Sequence, residues 1–304
     1  MLTDPKKGLV IQHHSQTVLV EDENTAALIT CKTRKKTGRI VCGDRVSWQQ
    51  TGDREGVVVE RLPRRSLLTR PDAHNRPRPL AANIDQMLIV CAPQPAWSRT
   101  LIDRYLIAAE LMPSEAVIVV NKSDLLAPPE RQHMLEALQE FSAIGYPVIT
   151  TSTRDSHGLE ALQHSLPGHT SILVGQSGVG KSSLVNALLP EASARVGELS
   201  DSGGFGRHTT TETRLYHLPG GGQLIDSPGV RDFQLWHIES KDLPRGFREF
   251  AAYLGQCRFH NCRHRREPGC ALQAAADRGE ISPRRLESYR SLLESLGEIN
   301  NATY

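Results

Sequence analysis

No stretch of this 304-residue chain approaches the run of about 18 consecutive apolar residues that a membrane-spanning helix needs. The first residues, Met1 to Lys7, lack the apolar core of a secretory signal, so the expected location is the cytoplasm. No internal repeat or low-complexity tract is apparent. Net charge is scarce too, only +2, so any basic surface has to be local. Cysteine is sparse, at six residues, and three of them (Cys31, Cys42 and Cys91) sit singly in apolar runs, as plain core residues do. What is present is enough for globular structure. The apolar fraction is 38%, and the length exceeds what one core normally serves, so two or three domains are expected.

The most informative stretch is Gly175-Gln176-Ser177-Gly178-Val179-Gly180-Lys181-Ser182-Ser183. It reads Gly-x4-Gly-Lys-Ser, a phosphate-binding loop. A short apolar strand, Ser171 to Val174, precedes it, and a run with helical spacing, Ser183 to Leu189, follows. The glycines let backbone N–H groups converge on phosphate oxygens at a helix N-terminus. Lys181 would reach the β- and γ-phosphates, and the Ser182 hydroxyl would bind Mg²⁺.

Five short β-rich runs lie upstream: Thr17–Val20, Ala27–Cys31, Arg39–Cys42, Arg45–Trp48 and Gly56–Glu60. That density predicts a small closed barrel, an OB-fold or else an SH3-like barrel. Lys32, Arg34, Lys35, Lys36 and Arg39 crowd one loop, either as a solvated surface or as an RNA contact. Residues 63–79, with Arg70-Pro71 and Arg76-Pro-Arg-Pro79, read as an extended linker in which the barrel ends.

From Asn83 the pattern becomes that of buried parallel strands alternating with helices. Strand Ala116–Val120 runs into Asn121-Lys122-Ser123-Asp124, the guanine-reading motif of GTPases. A carboxylate at Asp124 can accept two hydrogen bonds from the guanine N1–H and N2 amine, which adenine cannot supply. Asn121 can touch the base edge and tether the phosphate loop, and the Lys122 stem can lie along the ring. The next strand ends in Thr151-Ser152-Thr153, where Ser152 would support the base from the other side. Residues 190–206, rich in Ser, Gly, Glu and Asp, read as a flexible segment ending in Gly206-Arg-His-Thr-Thr-Thr211. A threonine here would complete the Mg²⁺ and γ-phosphate shell; spacing favours Thr211, with Thr210 (and Thr209) open. Asp226-Ser-Pro-Gly229 matches Asp-x-x-Gly, placing Asp226 near the metal and the Gly229 N–H on the γ-phosphate. The order is the departure. In ordinary small GTPases the phosphate loop comes first and Asn-Lys-x-Asp later; here the later motifs precede it, as circular permutation would produce. Val230 stands where many GTPases carry a water-orienting glutamine, so slow intrinsic hydrolysis is expected, with His208 as the candidate group that orients or deprotonates water.

Near the C-terminus, Arg248–Leu254 reads as helical, and Cys257, Cys262, His264 and Cys270 then offer four metal ligands within fourteen residues. They match a closed tetrahedral Zn²⁺ site of structural type, with His260 competing for the place of His264. Arg258, Arg263, Arg265, Arg266 and Phe259 interleave with the ligands, a basic and partly aromatic knob suited to RNA. Ser282-Pro283 opens a helix whose apolar face is Leu286, Tyr289, Leu292, Leu293 and Leu296.

Taken together, Gly43-Asp-Arg-Val46, Asn83-Ile-Asp85, Ile102-Asp-Arg-Tyr-Leu106, Asn121 to Asp124, Gly175 to Ser183, Gly206 to Thr211, Asp226 to Gly229 and the Cys257–Cys270 cluster resemble the bacterial ribosome-small-subunit-dependent GTPases, the RsgA or YjeQ family. The resemblance spans nearly the whole chain. It implies a multidomain protein: an N-terminal OB-fold β-barrel (residues 1–68), an α/β circularly permuted P-loop GTPase domain (69–235) and a mostly helical C-terminal zinc-binding domain (236–304). It further implies a monomer that binds the 30S ribosomal subunit and its 16S rRNA late in maturation. GTP hydrolysis to GDP would be stimulated by that subunit and accompanied by release of a maturation factor. His208 matches the family's proposed catalytic histidine. Some members carry a longer basic N-terminal arm.

Overall fold

Alternating β-branched residues in the first sixty positions give strands with one buried and one exposed face. The computed structural model describes residues 4–14, 16–72, 76–189, 213–227 and 238–301. Strands β1 (Lys6–His14), β2 (Thr17–Asp22), β3 (Leu28–Lys32), β4 (Arg45–Gly52) and β5 (Glu55–Arg61) close on themselves in the order β1-β2-β3-β5-β4-β1. The β3–β5 contact is parallel and the others antiparallel, the closure of an OB-type barrel. Val10, Val18, Val20, Ile29, Cys31, Val46, Trp48 and Val58 fill it. Two expectations change. Lys6–His14 is a strand that its polar ends conceal in the sequence. Arg39–Cys42 is not a strand; only an isolated bridge joins Cys42 to Ala81. There the buried Asp44 carboxylate accepts the Val41 N–H at 2.8 Å and both arms of Arg64 at 2.7 Å, so a side chain replaces the ladder.

The predicted linker is instead a two-stranded ribbon, β6 (Leu67–Pro71) and β7 (Pro77–Ala82). Its prolines are tolerated because both strands of a lone pair are edges. Asn83 fastens it to the barrel: its amide donates to the Gly43 carbonyl (2.8 Å) and its oxygen accepts the Arg65 N–H (2.9 Å).

The second sheet is continuous with the barrel through the pairing of β1 with β12, at Gln12 and Arg214. Its order is β10 (Val148–Thr150), β9 (Glu115–Val120), β8 (Gln86–Cys91), β11 (Thr170–Val174), β13 (Gln223–Asp226), β12 (Arg214–His217). All pairs are parallel except β12–β13. β8 and β9 read as unbroken apolar runs because both faces are covered. On one face α3 (Leu159–His164) and α4 (Lys181–Leu188) contribute Leu162, Leu184, Val185 and Leu188 to a compact cluster. On the other lie α1 (Arg99–Leu111) and α2 (Pro128–Ile144), and the C-terminal region packs onto them within one hydrophobic core.

That region contains a 3-10 turn at Leu243–Gly246 and another at Arg248–Phe250, the latter where a regular helix over Arg248–Leu254 was expected, followed by α5 (Ala271–Asp277) and α6 (Pro283–Asn301). The predicted apolar face of α6 is buried throughout, and Tyr289 meets Phe247 and Phe250 edge-on at 5.6 Å. Among the described residues no helix is long and apolar enough to cross a membrane.

A buried charge network locks α6 to α1. The fully buried Asp103 carboxylate accepts hydrogen bonds from Arg284 (2.7 and 3.1 Å), Arg285 (2.6 Å) and Ser288 (2.6 Å). Arg285, also fully buried, pairs with Glu249 at 2.6 Å, and Arg284 with Glu140 at 2.7 Å. Burial alone would raise the Asp103 pKa, but Arg284, Arg285 and Ser288 outweigh it and hold the carboxyl below its ordinary value of 3.8. Removing one partner of such a pair leaves an uncompensated buried charge, at a cost of about 3–5 kcal/mol. Asp103→Asn should therefore lower the thermal midpoint clearly at pH 7. Because the folded pKa is depressed, this contribution is complete above the ordinary value and fades as pH falls through the folded one. The gap between wild type and variant should thus narrow below about pH 4, as read by thermal unfolding against pH.

Candidate nucleotide and metal sites

Because β8, β9, β10, β11 and β13 are parallel, their carboxyl ends open on one edge, where ligands of open α/β sheets bind. Asn121 follows β9, Thr151 and Ser152 follow β10, Gly175 follows β11, and Asp226 closes β13. Motifs as far apart in sequence as Asn121 and Asp226 thus meet at one rim.

The contacts among them are specific. The Asn121 amide donates to the Val179 carbonyl at 3.0 Å, tying the Asn121–Asp124 loop to the Gly175–Ser183 loop as the sequence predicted. Its oxygen accepts the Thr151 hydroxyl at 3.2 Å, which fixes the amide's orientation. The Ser152 hydroxyl donates to Asp124 Oδ1 at 2.9 Å and so sets the carboxylate's rotamer. Lys122 reaches the carbonyls of Gly178 (2.5 Å) and Gln94 (3.0 Å), clamping the β8–α1 loop against the phosphate loop. Ser123 is buried beneath them.

Gly175 to Gly180 arcs from β11 into α4. Gly180 has a left-handed backbone (φ 93°), and a Cβ there would fall 2.3 Å from the Asn121 amide nitrogen. At Gly175 (φ 140°) it would fall 2.1 Å from the Val90 carbonyl oxygen. Val179 is buried in the core; Gln176, Ser177 and Gly178 form the arc, and Ser182 and Ser183 are exposed on the first turn of α4. The Lys181 ammonium donates to the carbonyls of Gly175 and Gln176, each at 2.7 Å. Burial raises the Asp226 carboxyl above its ordinary value, and Lys181 opposes that rise. The donor set offered by the Ser182 hydroxyl and the Asp226 carboxylate suits Mg²⁺, which prefers hard oxygens. His208, Thr209, Thr210, Thr211, Gly229 and Val230 lie outside the described residues.

Near the C-terminus, Cys257, Cys262, His264 and Cys270 converge, all four ligand atoms within 4.8 Å of one another. His264 Nδ1 lies 3.4, 3.6 and 3.5 Å from the three sulfurs in that order. Tetrahedral bonds of about 2.3 Å to sulfur and 2.0 Å to nitrogen imply S···N edges of about 3.5 Å, so the cluster fits Zn²⁺. His264 fills the place contested by the exposed His260. Backbone N–H groups of Ala271 and His264 donate to Cys257 and Cys262 at 3.3 and 3.4 Å, orienting the sulfurs. Burial favours the neutral imidazole of His264, the form that binds metal. The remaining cysteines behave as core residues: burial pushes the Cys31 and Cys91 thiols up to about 12.

A family profile described as RsgA GTPase matches residues 61–236. The chain belongs to this family. Proteins named Small ribosomal subunit biogenesis GTPase RsgA are similar over almost the full length. The one from Azotobacter vinelandii is 48% identical across 96% of this chain and 86% of its own, and that from Chromohalobacter salexigens 49% across 95% and 86%. The crystal structure of YjeQ from Thermotoga maritima superposes with a TM-score of 0.79 at 34% identity, covering 96% of this chain and 98% of that one. YloQ, described as a circularly permuted GTPase, gives 0.77 at 29% identity over 97% and 96%. The description of YloQ agrees with the permuted motif order read in this chain, and the chain is a GTP hydrolase.

Thr151 and the Gln94 carbonyl carry parts of the site that sequence reading passed over. Thr151 offered one signal, a hydroxyl at a strand end directly before Ser152 and level with Asn121. Thr151→Val keeps the shape and removes the hydroxyl, leaving the Asn121 oxygen unpaired at a cost of about 1–1.5 kcal/mol. GDP affinity measured by calorimetry should fall about five- to tenfold, and because the unpaired oxygen is buried the melting temperature should fall by a few degrees as well.

Proposed function

We propose that this chain binds the 30S ribosomal subunit late in its maturation, hydrolyses GTP in response to that subunit, and leaves it together with a maturation factor. Support comes from one observation above all. A guanine-reading loop is tied to a phosphate loop by Asn121 and Val179, in a chain whose relatives are named for small ribosomal subunit biogenesis. Two exposed basic surfaces fit an RNA partner such as 16S rRNA. One is the barrel loop with Lys32, Arg34, Lys35, Lys36 and Arg39; the other is the zinc loop with Arg258, Arg263, Arg265 and Arg266. The three units proposed are residues 1–68, 69–235 and 236–304, working as a cytoplasmic monomer.

The residue roles proposed combine the contacts at the rim with the sequence motifs. Asp124 accepts from the guanine N1–H and N2 amine, held by Ser152, while Lys122 flanks the ring and Ser123 supports the loop. Backbone N–H groups from Gly175 to Ser183 and the Lys181 ammonium hold the phosphates. Ser182, Thr211 and Asp226 are the residues that would hold Mg²⁺, with Thr210 beside them and the Gly229 N–H on the γ-phosphate; the ion neutralises charge on the β- and γ-phosphates. Water attacks the γ-phosphorus in line, the bond to the β–γ bridging oxygen breaks, and GDP departs. Valine at position 230 cannot orient that water, so His208 positions it and takes its proton. The closed four-ligand zinc site shapes the C-terminal unit and leaves no position for substrate.

GTP turnover measured with and without purified 30S subunits tests this reading. Stimulation of at least about tenfold is expected, absent in Lys181→Ala. His208→Ala should lose about a hundredfold in stimulated turnover while binding GTP normally. Turnover indifferent to 30S subunits, or stimulated equally by intact 70S ribosomes, would contradict the reading.

A further inference from the structure

The metal-ligand cluster shapes a short exposed loop, Arg258 to Asn261, pinned at its ends by Cys257 and Cys262. The Arg258 N–H donates to the Gly269 carbonyl at 3.0 Å, and the Cys262 N–H to the Phe259 carbonyl at 3.2 Å. Phe259 crowns this turn. It is 43% exposed, and among the described residues only Leu125, beside the guanine-reading loop, is another large hydrophobic side chain so exposed. The Arg258 guanidinium lies over the phenyl ring, 5.4 Å from its centroid. Arg263, Arg265 and Arg266 stand exposed nearby, and among the described residues no ion pair joins these four arginines to a carboxylate. Glu267, the adjacent acid, is turned to the backbone N–H groups of Arg263 and Arg266.

A lone aromatic ring in a cationic surface is a poor start for a protein–protein contact, which needs a wider apolar patch. It matches the recognition of unpaired RNA, in which a base stacks on an aromatic ring while arginines take the flanking phosphates. Arg258 lies against one part of the ring, and the exposed remainder leaves surface for one base. We propose that Phe259 is a stacking platform for a single unpaired nucleobase, with Arg258, Arg263, Arg265 and Arg266 holding the neighbouring phosphates, and that the zinc ligands fix its orientation. The inference rests on RNA being the partner.

The test compares binding of two RNAs of equal length, an unstructured oligonucleotide and a blunt duplex, to full-length wild type, Phe259→Leu and Phe259→Trp. Zinc content and GDP binding are measured alongside to confirm folding. Stacking is worth about 1–3 kcal/mol per base, so Phe259→Leu should weaken the unstructured RNA about five- to a hundredfold and the duplex hardly at all. Phe259→Trp should restore affinity and show quenched indole fluorescence on binding. Equal affinity of Phe259→Leu and wild type for the unpaired RNA, or equal losses on both RNAs, overturns the stacking site. Normal RNA binding by Phe259→Leu with weakened 30S binding overturns it in favour of a ribosomal protein contact. Failure of folded wild type to bind either RNA instead overturns the underlying RNA reading.

Discussion

One hydrogen bond, from the Asn121 amide to the Val179 carbonyl, joins the two halves of the nucleotide site across 58 positions of sequence. Several features of the rim serve it. Thr151 orients the amide, Gly180 leaves room for it, and the parallel pairing of β8 with β9 and with β11 brings the two loops side by side. This contact depends on where strand ends lie in the sheet and not on which strand is synthesised first. That is why the chain can begin its GTPase domain at the guanine-reading half and still assemble the same rim.

The permutation also decides which segment comes after the site. Beyond β13 the chain continues into the C-terminal region, which packs back on α1 and α2. Attachment there is partly apolar, through the shared core in which Gly246 abuts Ile107, and partly ionic, through Asp103, Arg284 and Arg285. Buried charges are satisfied only in one arrangement, so the ionic part specifies how this unit sits more than it adds net stability. At the opposite end, β12 pairs with β1 of the barrel. The nucleotide domain is thus flanked by two units that present cationic surfaces.

The motifs at the rim were readable because each joins a local backbone requirement to a chemical one. Gly175 and Gly180 must be glycine for steric reasons, Asp124 is an acceptor held by the Ser152 hydroxyl, and Cys257, Cys262 and Cys270 lie too close in sequence for chance. His264 was preferred to His260 in the sequence, and the packed loop, which buries His264 and leaves His260 exposed, bears that choice out. Nothing local to α1 marks the role of Asp103, because its buried partner Arg285 lies 182 positions away. The β6–β7 ribbon was hidden because proline discourages strands everywhere except at edges. Local pattern reveals elements and motifs; it does not reveal partners that only the tertiary fold supplies.

The central claim is that Asn121 to Asp124 and Gly175 to Ser183 form one guanine site despite their inverted order. Competition between GDP and ADP for the wild-type protein and for Asp124→Ala measures this directly. The account predicts a preference for GDP of at least about a hundredfold in wild type, from two charge-assisted hydrogen bonds, and its collapse in the variant. Equal affinity for the two nucleotides in wild type, or a preference untouched by Asp124→Ala, would contradict it.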